Sequence, residues 1–186
     1  MALLAYLTDV EGMWSRLASF ATDNPLVRLE HDRLELADDV TFVFGGDAID
    51  RGPAGHRILA ALVDAKQRYG ERVVLLAGNR DLNKLRLVRE LSGHPPRKAP
   101  EELRGDRPAL LRWILTHTMG ARDAFGHRRA ELPGASDEEI AQTFLDDVAE
   151  GGLLRAYLTG AQLAYRSGAT LFVHGAVTDD LSLIHI

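Results

Sequence analysis

Hydrophobic and polar positions fall in blocks along this chain, and the blocks repeat one theme. Ala2 to Thr8 is a short apolar run closed by Asp9, the pattern of a buried strand. After Gly12, residues Trp14, Leu17, Ala18, Phe20 and Ala21 recur at helical spacing. Leu29, Leu34 and Leu36 alternate within a polar stretch, which predicts a hairpin or an irregular connection. Val40 to Phe44 is β-branched and aromatic and stops at Gly45-Gly46-Asp47. Pro53 suits the first turn of a helix carrying Ile58, Leu59, Leu62, Val63 and Tyr69. Arg72 to Ala77 predicts a third strand, ended by Gly78-Asn79. Three times a buried strand meets a Gly/Asp/Asn cluster and gives way to a helix. That order predicts an α/β fold in which the C-terminal ends of the strands carry the site.

From Leu82 to about Tyr157 the pattern is almost wholly helical. Ser136 with Glu139 forms a capping-box signature ahead of Ile140, Phe144 and Val148, and Gly151-Gly152 ends that helix. Strands return at Gln162 to Tyr165 and Ala169 to Val173, and the second stops at His174-Gly175. The expectation is one domain over residues 1–186, interrupted by a helical insertion over 82–157.

Composition narrows the function. At 46% hydrophobic and 26% charged, the 186 residues suit a globular domain rather than a disordered chain. The absence of cysteine excludes a disulfide scaffold, an iron–sulfur cluster and a thiol nucleophile within this sequence. No apolar run approaches the ~20 residues of a membrane span, and MALLAYLTDVEG lacks a basic leader, so a cytoplasmic protein without membrane contact is expected. The net charge is −5, yet residues 80–129 carry 12 Lys+Arg against 6 Asp+Glu. Such a stretch either draws in a polyanionic substrate or is a set of amphipathic helices with solvated charges. Without aromatic interleaving it does not predict nucleic-acid binding.

The polar strand ends hold the candidate chemistry: Asp9-Val10-Glu11-Gly12, Gly46-Asp47-Ala48-Ile49-Asp50-Arg51-Gly52, Gly78-Asn79-Arg80-Asp81 and His174-Gly175. A lone Asp after a strand is a common turn former. Four clusters of carboxylate, amide and imidazole, expected at the same end of one sheet, suit a divalent ion such as Mn, Fe, Zn or Mg.

The GGDAIDRGP segment, with GNRD and LFVHGAV, resembles the signature motifs of the calcineurin-like metallophosphoesterases. The resemblance covers roughly residues 3–81 and 169–177. It implies a two-sheet sandwich flanked by helices, and two divalent ions that clamp a phosphate while a water attacks in line. By motif position, Asp47 would bridge the ions, Asp9 and Glu11 would hold the first, and Asn79 and His174 the second. Arg51 would grip the phosphate. From the basic stretch rather than the motifs, Arg86 and Arg89, on the helix after GNRD, are expected to face a substrate.

Two positions depart from that pattern. Glu11 stands where the family has a histidine ligand, which favours Mn or Mg over Zn. Arg80 stands where the family has a histidine that protonates the leaving group, and Arg cannot give up a proton near neutral pH. Arg80 is then expected to neutralise phosphoryl charge, and Asp50 to pair with Arg80 or Arg51. Asp81 is expected to cap the following helix. The terminal LSLIHI reads as an artificial end of a C-terminally incomplete domain, so His185 is not counted as a ligand. The implied activity is hydrolysis of a phosphomonoester, from a phosphoprotein or a nucleotide-like substrate. Two alternatives stand beside it: a phosphodiesterase or nuclease on the same scaffold, and a non-catalytic phosphate-binding protein.

Overall fold

The computed structural model describes residues 3–176. The expectation for LSLIHI and His185 falls outside the described residues.

β1 (Leu3–Leu7), β4 (Val40–Phe44), β5 (Val73–Leu76) and the short β6 (Ala161–Gln162) form a four-stranded parallel sheet in the order β1-β4-β5-β6, with β4 and β5 at its centre. On one face lie α1 (Trp14–Asp23), α2 (Gly55–Tyr69) and α8 (Leu153–Gly160). Leu17, Ile58, Leu62 and Tyr157 meet Phe42, Phe44 and Leu75 there in the main core. Burying each large apolar side chain contributes roughly 1.5–3 kcal/mol, which is why the β4 and β5 runs read as continuously hydrophobic. Between α1 and β4 stand β2 (Val27–Glu30) and β3 (Arg33–Leu36), the predicted hairpin. His31 and Asp32 both have positive φ, at 48° and 66°, as a two-residue turn matched to strand twist requires.

Pro53 does not open α2 as predicted. The helix starts at Gly55: Ala54 is its N-cap, with non-helical φ −106° and ψ 28°, held there by its N–H on the Gly12 carbonyl at 2.9 Å. The predicted strand over 162–165 also divides. Ala161 and Gln162 pair with β5, Leu163 swings out to solvent, and β7 (Ala164–Ser167) turns back against β8 (Thr170–Val173) as a separate antiparallel hairpin. His174 therefore does not follow a strand of the main sheet. It arrives from this hairpin, which packs Tyr165 and Phe172 on Leu4, Val43, Val74 and Leu76 across the sheet's second face. The main sheet is thus flanked by helices on one face and by a hairpin on the other.

Between β5 and β6 the chain is helical: α3 (Asn79–Asn83), α4 (Leu87–Glu90), α5 (Arg107–His117), α6 (Ala124–Glu131) and α7 (Asp137–Asp146), then α8. Ser136 and Glu139 cap α7 reciprocally, as predicted. These helices have their own core, with Leu87, Leu111, Ile114, Phe125, Ile140 and Phe144 at its centre. Residues 80–157 contain thirteen basic and thirteen acidic side chains, so the local excess of arginine is cancelled by α7 and its neighbours. Arg112 and Arg129 pair with Asp137, Arg107 with Glu138 and Arg128 with Asp147. That supports the reading of solvated, paired charges over a polyanion-steering field. Among the described residues no helix is long and apolar enough to cross a membrane.

Candidate metal centre

Loops at the ends of β1 and β4 are laced together like an extra pair of strands. Asp9 N–H donates to the Gly46 carbonyl (3.1 Å), Glu11 N–H to Asp47 (2.9 Å) and Gly12 N–H to Ala48 (2.8 Å). In return Arg51 and Gly52 N–H donate to the Glu11 carbonyl (2.9 and 2.7 Å). The two backbones run so close that a Cβ on Gly52 would stand 2.3 Å from the Gly12 carbonyl oxygen. Asp9, Glu11, Asp47 and Asp50 all adopt positive φ, at 54°, 51°, 57° and 104°. Such backbones are uncommon outside glycine and concentrate at functional sites.

Asp47 is clasped from below by Asp81. That fully buried carboxylate accepts the N–H groups of Asp47 (2.9 Å), Ala48 (3.0 Å) and Gly78 (3.1 Å). Asp81 thus caps α3, as expected, and also fixes the loop that presents Asp47. Burial pushes its carboxyl up to about 7, against the pull of those amides. Beneath it Tyr157 O–H donates to the Leu76 carbonyl at 2.6 Å, tying α8 to the end of β5. Asp47 is itself raised above the ordinary aspartate value, chiefly by burial, although Arg80 N–H donates to its Oδ1 at 3.0 Å.

One ligand atom each from Asp9, Asp47 and His174 lie within 4.8 Å of one another, although the three residues come from different elements. His174 Nδ1 is 2.8 Å from the Gly45 carbonyl, which accepts only, so Nδ1 carries a proton and Nε2 is the nitrogen turned to the cluster. Nε2 faces Asn79 Oδ1 at 3.1 Å and Asp47 Oδ1 at 3.3 Å. Acceptors turned on one another repel unless a proton or cation sits among them. Their chemistry, three oxygens and one imidazole nitrogen, fits a divalent ion of the Mn or Fe kind.

Glu11 is absent from this cluster. Its Oε2 receives Arg16 (2.9 Å) and Arg51 (3.1 Å), and its Oε1 lies 3.2 Å from Arg80 Nε. The same Arg80 nitrogen is 3.4 Å from Asp47 Oδ2. The expectation that Glu11 faces a metal is replaced here by a carboxylate surrounded by guanidinium groups. Asp50 is not paired with either arginine as expected. It meets Lys84 Nζ at 2.6 Å, with both side chains buried. Arg86 turns away from the centre to Glu90 (2.7 Å), in a surface depression shared with Arg89 and His94. Sequence reasoning missed Arg16, Lys84 and the clasping role of Asp81. The available signal for Lys84 was its position four residues after Arg80, on the same helical face.

In fold, the chain is similar to a cold-active protein-tyrosine phosphatase. The crystal structure of that enzyme from a psychrophilic Shewanella species aligns with 99% of this chain and 46% of its own, at a TM-score of 0.54 and 13% identity. A point mutant of the cold-active phosphatase and a further structure of it at 1.1 Å both align at a TM-score of 0.52 and 13% identity. Each alignment covers 99% of this chain, with 46% and 45% of theirs. The chain spans under half the length of these phosphatase structures. No family model matches the sequence, and no curated protein does.

Proposed function

We propose that this chain carries the centre of a metal-dependent phosphoester hydrolase of the calcineurin-like kind. The reading is carried by the convergence of Asp9, Asp47, Asn79 and His174 from separate elements, a set of metal-ligating atoms brought within reach of one ion. It agrees with the GGDAIDRGP motif and with the fold likeness to structures described as phosphatases. With no cysteine in the chain, a thiol nucleophile is not available to it.

Asp9, Asp47, Asn79 and His174 would hold the ion, Mn being favoured by the oxygen-rich set. A divalent ion bound there would polarise a phosphoryl oxygen and lower the pKa of a water. Around that point the protein's own groups divide the remaining work. Half-exposed Arg51 lies at the mouth of the centre, where its planar fork suits phosphoryl oxygens. Arg80 holds positive charge against Asp47 Oδ2. The Gly45 carbonyl fixes the His174 tautomer, and Asp81 fixes the Asp47 backbone. Neither motif residue expected to handle the leaving-group proton is free to do so: Arg80 keeps its proton, and the Asp50 carboxylate is spent on Lys84. The substrate class this favours is a phosphomonoester whose alcohol leaves without help, an aryl ester before an alkyl one. The paired-ion arrangement implied by the motifs would also need Glu11, which its arginines engage.

The test is hydrolysis of p-nitrophenyl phosphate with added Mn, comparing the wild type with Asp47→Asn. Turnover that depends on Mn and falls at least ~100-fold in the variant is expected; equal activity in both would refute the assigned centre. A specific observation keeps the non-catalytic reading alive, namely the arginine shell around Glu11. Phosphate and Mn binding with no turnover of either p-nitrophenyl phosphate or its bis-ester would decide for it.

A further inference from the structure

We infer that the centre is built for one metal ion, because the Arg80 guanidinium is its second cation. This rests on the reading of Asp9, Asp47, Asn79 and His174 as a cation site. The observation is the division of labour across Asp47. Its Oδ1 faces His174 Nε2 at 3.3 Å, on the side where Asp9 and Asn79 converge. Its Oδ2 faces Arg80 Nε at 3.4 Å, and Glu11 Oε1 lies 3.2 Å beyond that nitrogen. A guanidinium is therefore wedged between two carboxylates, in the gap where they could otherwise share an ion.

Several features make that wedge permanent. The Arg80 side chain is only 12% exposed and the two carboxylates 6% each, so the charges are mutually desolvated and separating them would strand buried ions. Arg80 is anchored at its far end as well, with Nη1 donating to the Gly120 carbonyl of the insertion at 3.2 Å. Its backbone N–H is bonded to Asp47 Oδ1, so both ends of the residue grip the same aspartate. Arg16 and Arg51 complete the neutralisation of Glu11. A dication entering this gap would meet a guanidinium at contact distance, and arginine cannot discharge itself by losing a proton. The opposite side of Asp47 carries no guanidinium: Oδ1 there meets the Arg80 backbone N–H, and His174, Asn79 and Asp9 face the remaining space. A phosphoryl group at this centre would thus lie between an exchangeable ion and a covalently attached positive charge.

Metal counting tests this without any assay of activity. The purified chain, loaded with Mn, desalted and analysed for metal, is expected to retain one Mn per chain, with a single-ion hyperfine pattern in its paramagnetic resonance spectrum. Arg80→Ala is expected to retain two, with a spin-coupled signal, because Glu11 and Asp47 then share an empty gap. Two ions in the wild type, or one ion in a folded Arg80→Ala, would overturn the inference. Glu11→Gln guards against an Arg80 variant that does not fold. It is expected to stay at one Mn with affinity within about threefold of wild type, and loss of that ion would overturn the inference by making Glu11 a ligand. No Mn on the wild type would instead defeat the donor-cluster reading itself, and this inference with it.

Discussion

Lys84 Nζ lies 2.6 Å from Asp50 Oδ2, and the two side chains are 3% and 2% exposed. The aspartate closes the loop after β4 and the lysine follows α3, so one buried ion pair joins the metal-site loop to the base of the helical insertion. Truncating one member leaves the other charged and unpaired in a dry place, which costs about 3–5 kcal/mol. Lys84→Met and Asp50→Asn are each expected to lose that much in urea unfolding. The Lys84→Met/Asp50→Leu double variant should recover a substantial part. Single variants as stable as wild type would mean that water reaches the pair.

Gly78 is the residue on which the Asp47 loop rests. A Cβ there would stand 2.2 Å from both Asp47 N and Asp47 Oδ1. Gly78→Ala should therefore push the aspartate out of place. Mn affinity is expected to fall at least tenfold while the far-UV circular dichroism stays near wild type.

A second pin between the sheet layer and the insertion is set by pH. Asp147 accepts from His56 at 2.8 Å and from Arg128 at 2.6 Å. Burial opposes its ionisation, but those two partners outweigh it and hold the carboxyl below its ordinary 3.8. With the folded value depressed, the group stabilises the fold above pH 3.8 and loses that contribution as pH falls through the folded value. The stability gap between wild type and Asp147→Asn should accordingly close as pH falls below 3.8. A gap unchanged at pH 3 would contradict the assignment.

Leaving-group chemistry offers a kinetic check. General acid catalysis is worth roughly 10²- to 10⁴-fold, and the proposed centre does without it, with Arg80 at the donor position and Asp50 engaged by Lys84. Phenyl phosphates of rising phenol pKa should slow steeply, and an alkyl phosphate should be turned over at least ~100-fold more slowly than p-nitrophenyl phosphate. A flat series would point to a proton donor.

Much of this was legible in the residues. The strand-then-cluster rhythm located β1, β4 and β5. The central β4 and β5 are buried on both faces and so almost wholly apolar, and edge strand β1, though Leu3 and Tyr6 are exposed, shares the apolar run ended by a polar turn. The helical reach of the insertion and the α7 cap followed from periodicity and from Ser136 with Glu139. What escaped reading depends on partners far along the chain. β6 is two residues long and shares its apolar run with β7, so nothing local marks the break at Leu163. Glu11 and Asp50 read as free acids until Arg16, Arg80 and Lys84 are placed beside them. The apparent basic field of residues 80–129 vanishes because its counter-charges follow in the chain, on α7 and beside it.

The Gly12–Gly52 abutment has a consequence for anyone recombining this protein with others. With no side chain between them, the turn after β1 and the turn after β4 form a single rigid casting. Grafting one motif from a donor without its mate would bring mismatched backbones together at a seam with no slack. The two segments have to be exchanged as a pair, and a chimera that splits them should misassemble before its chemistry can be asked about.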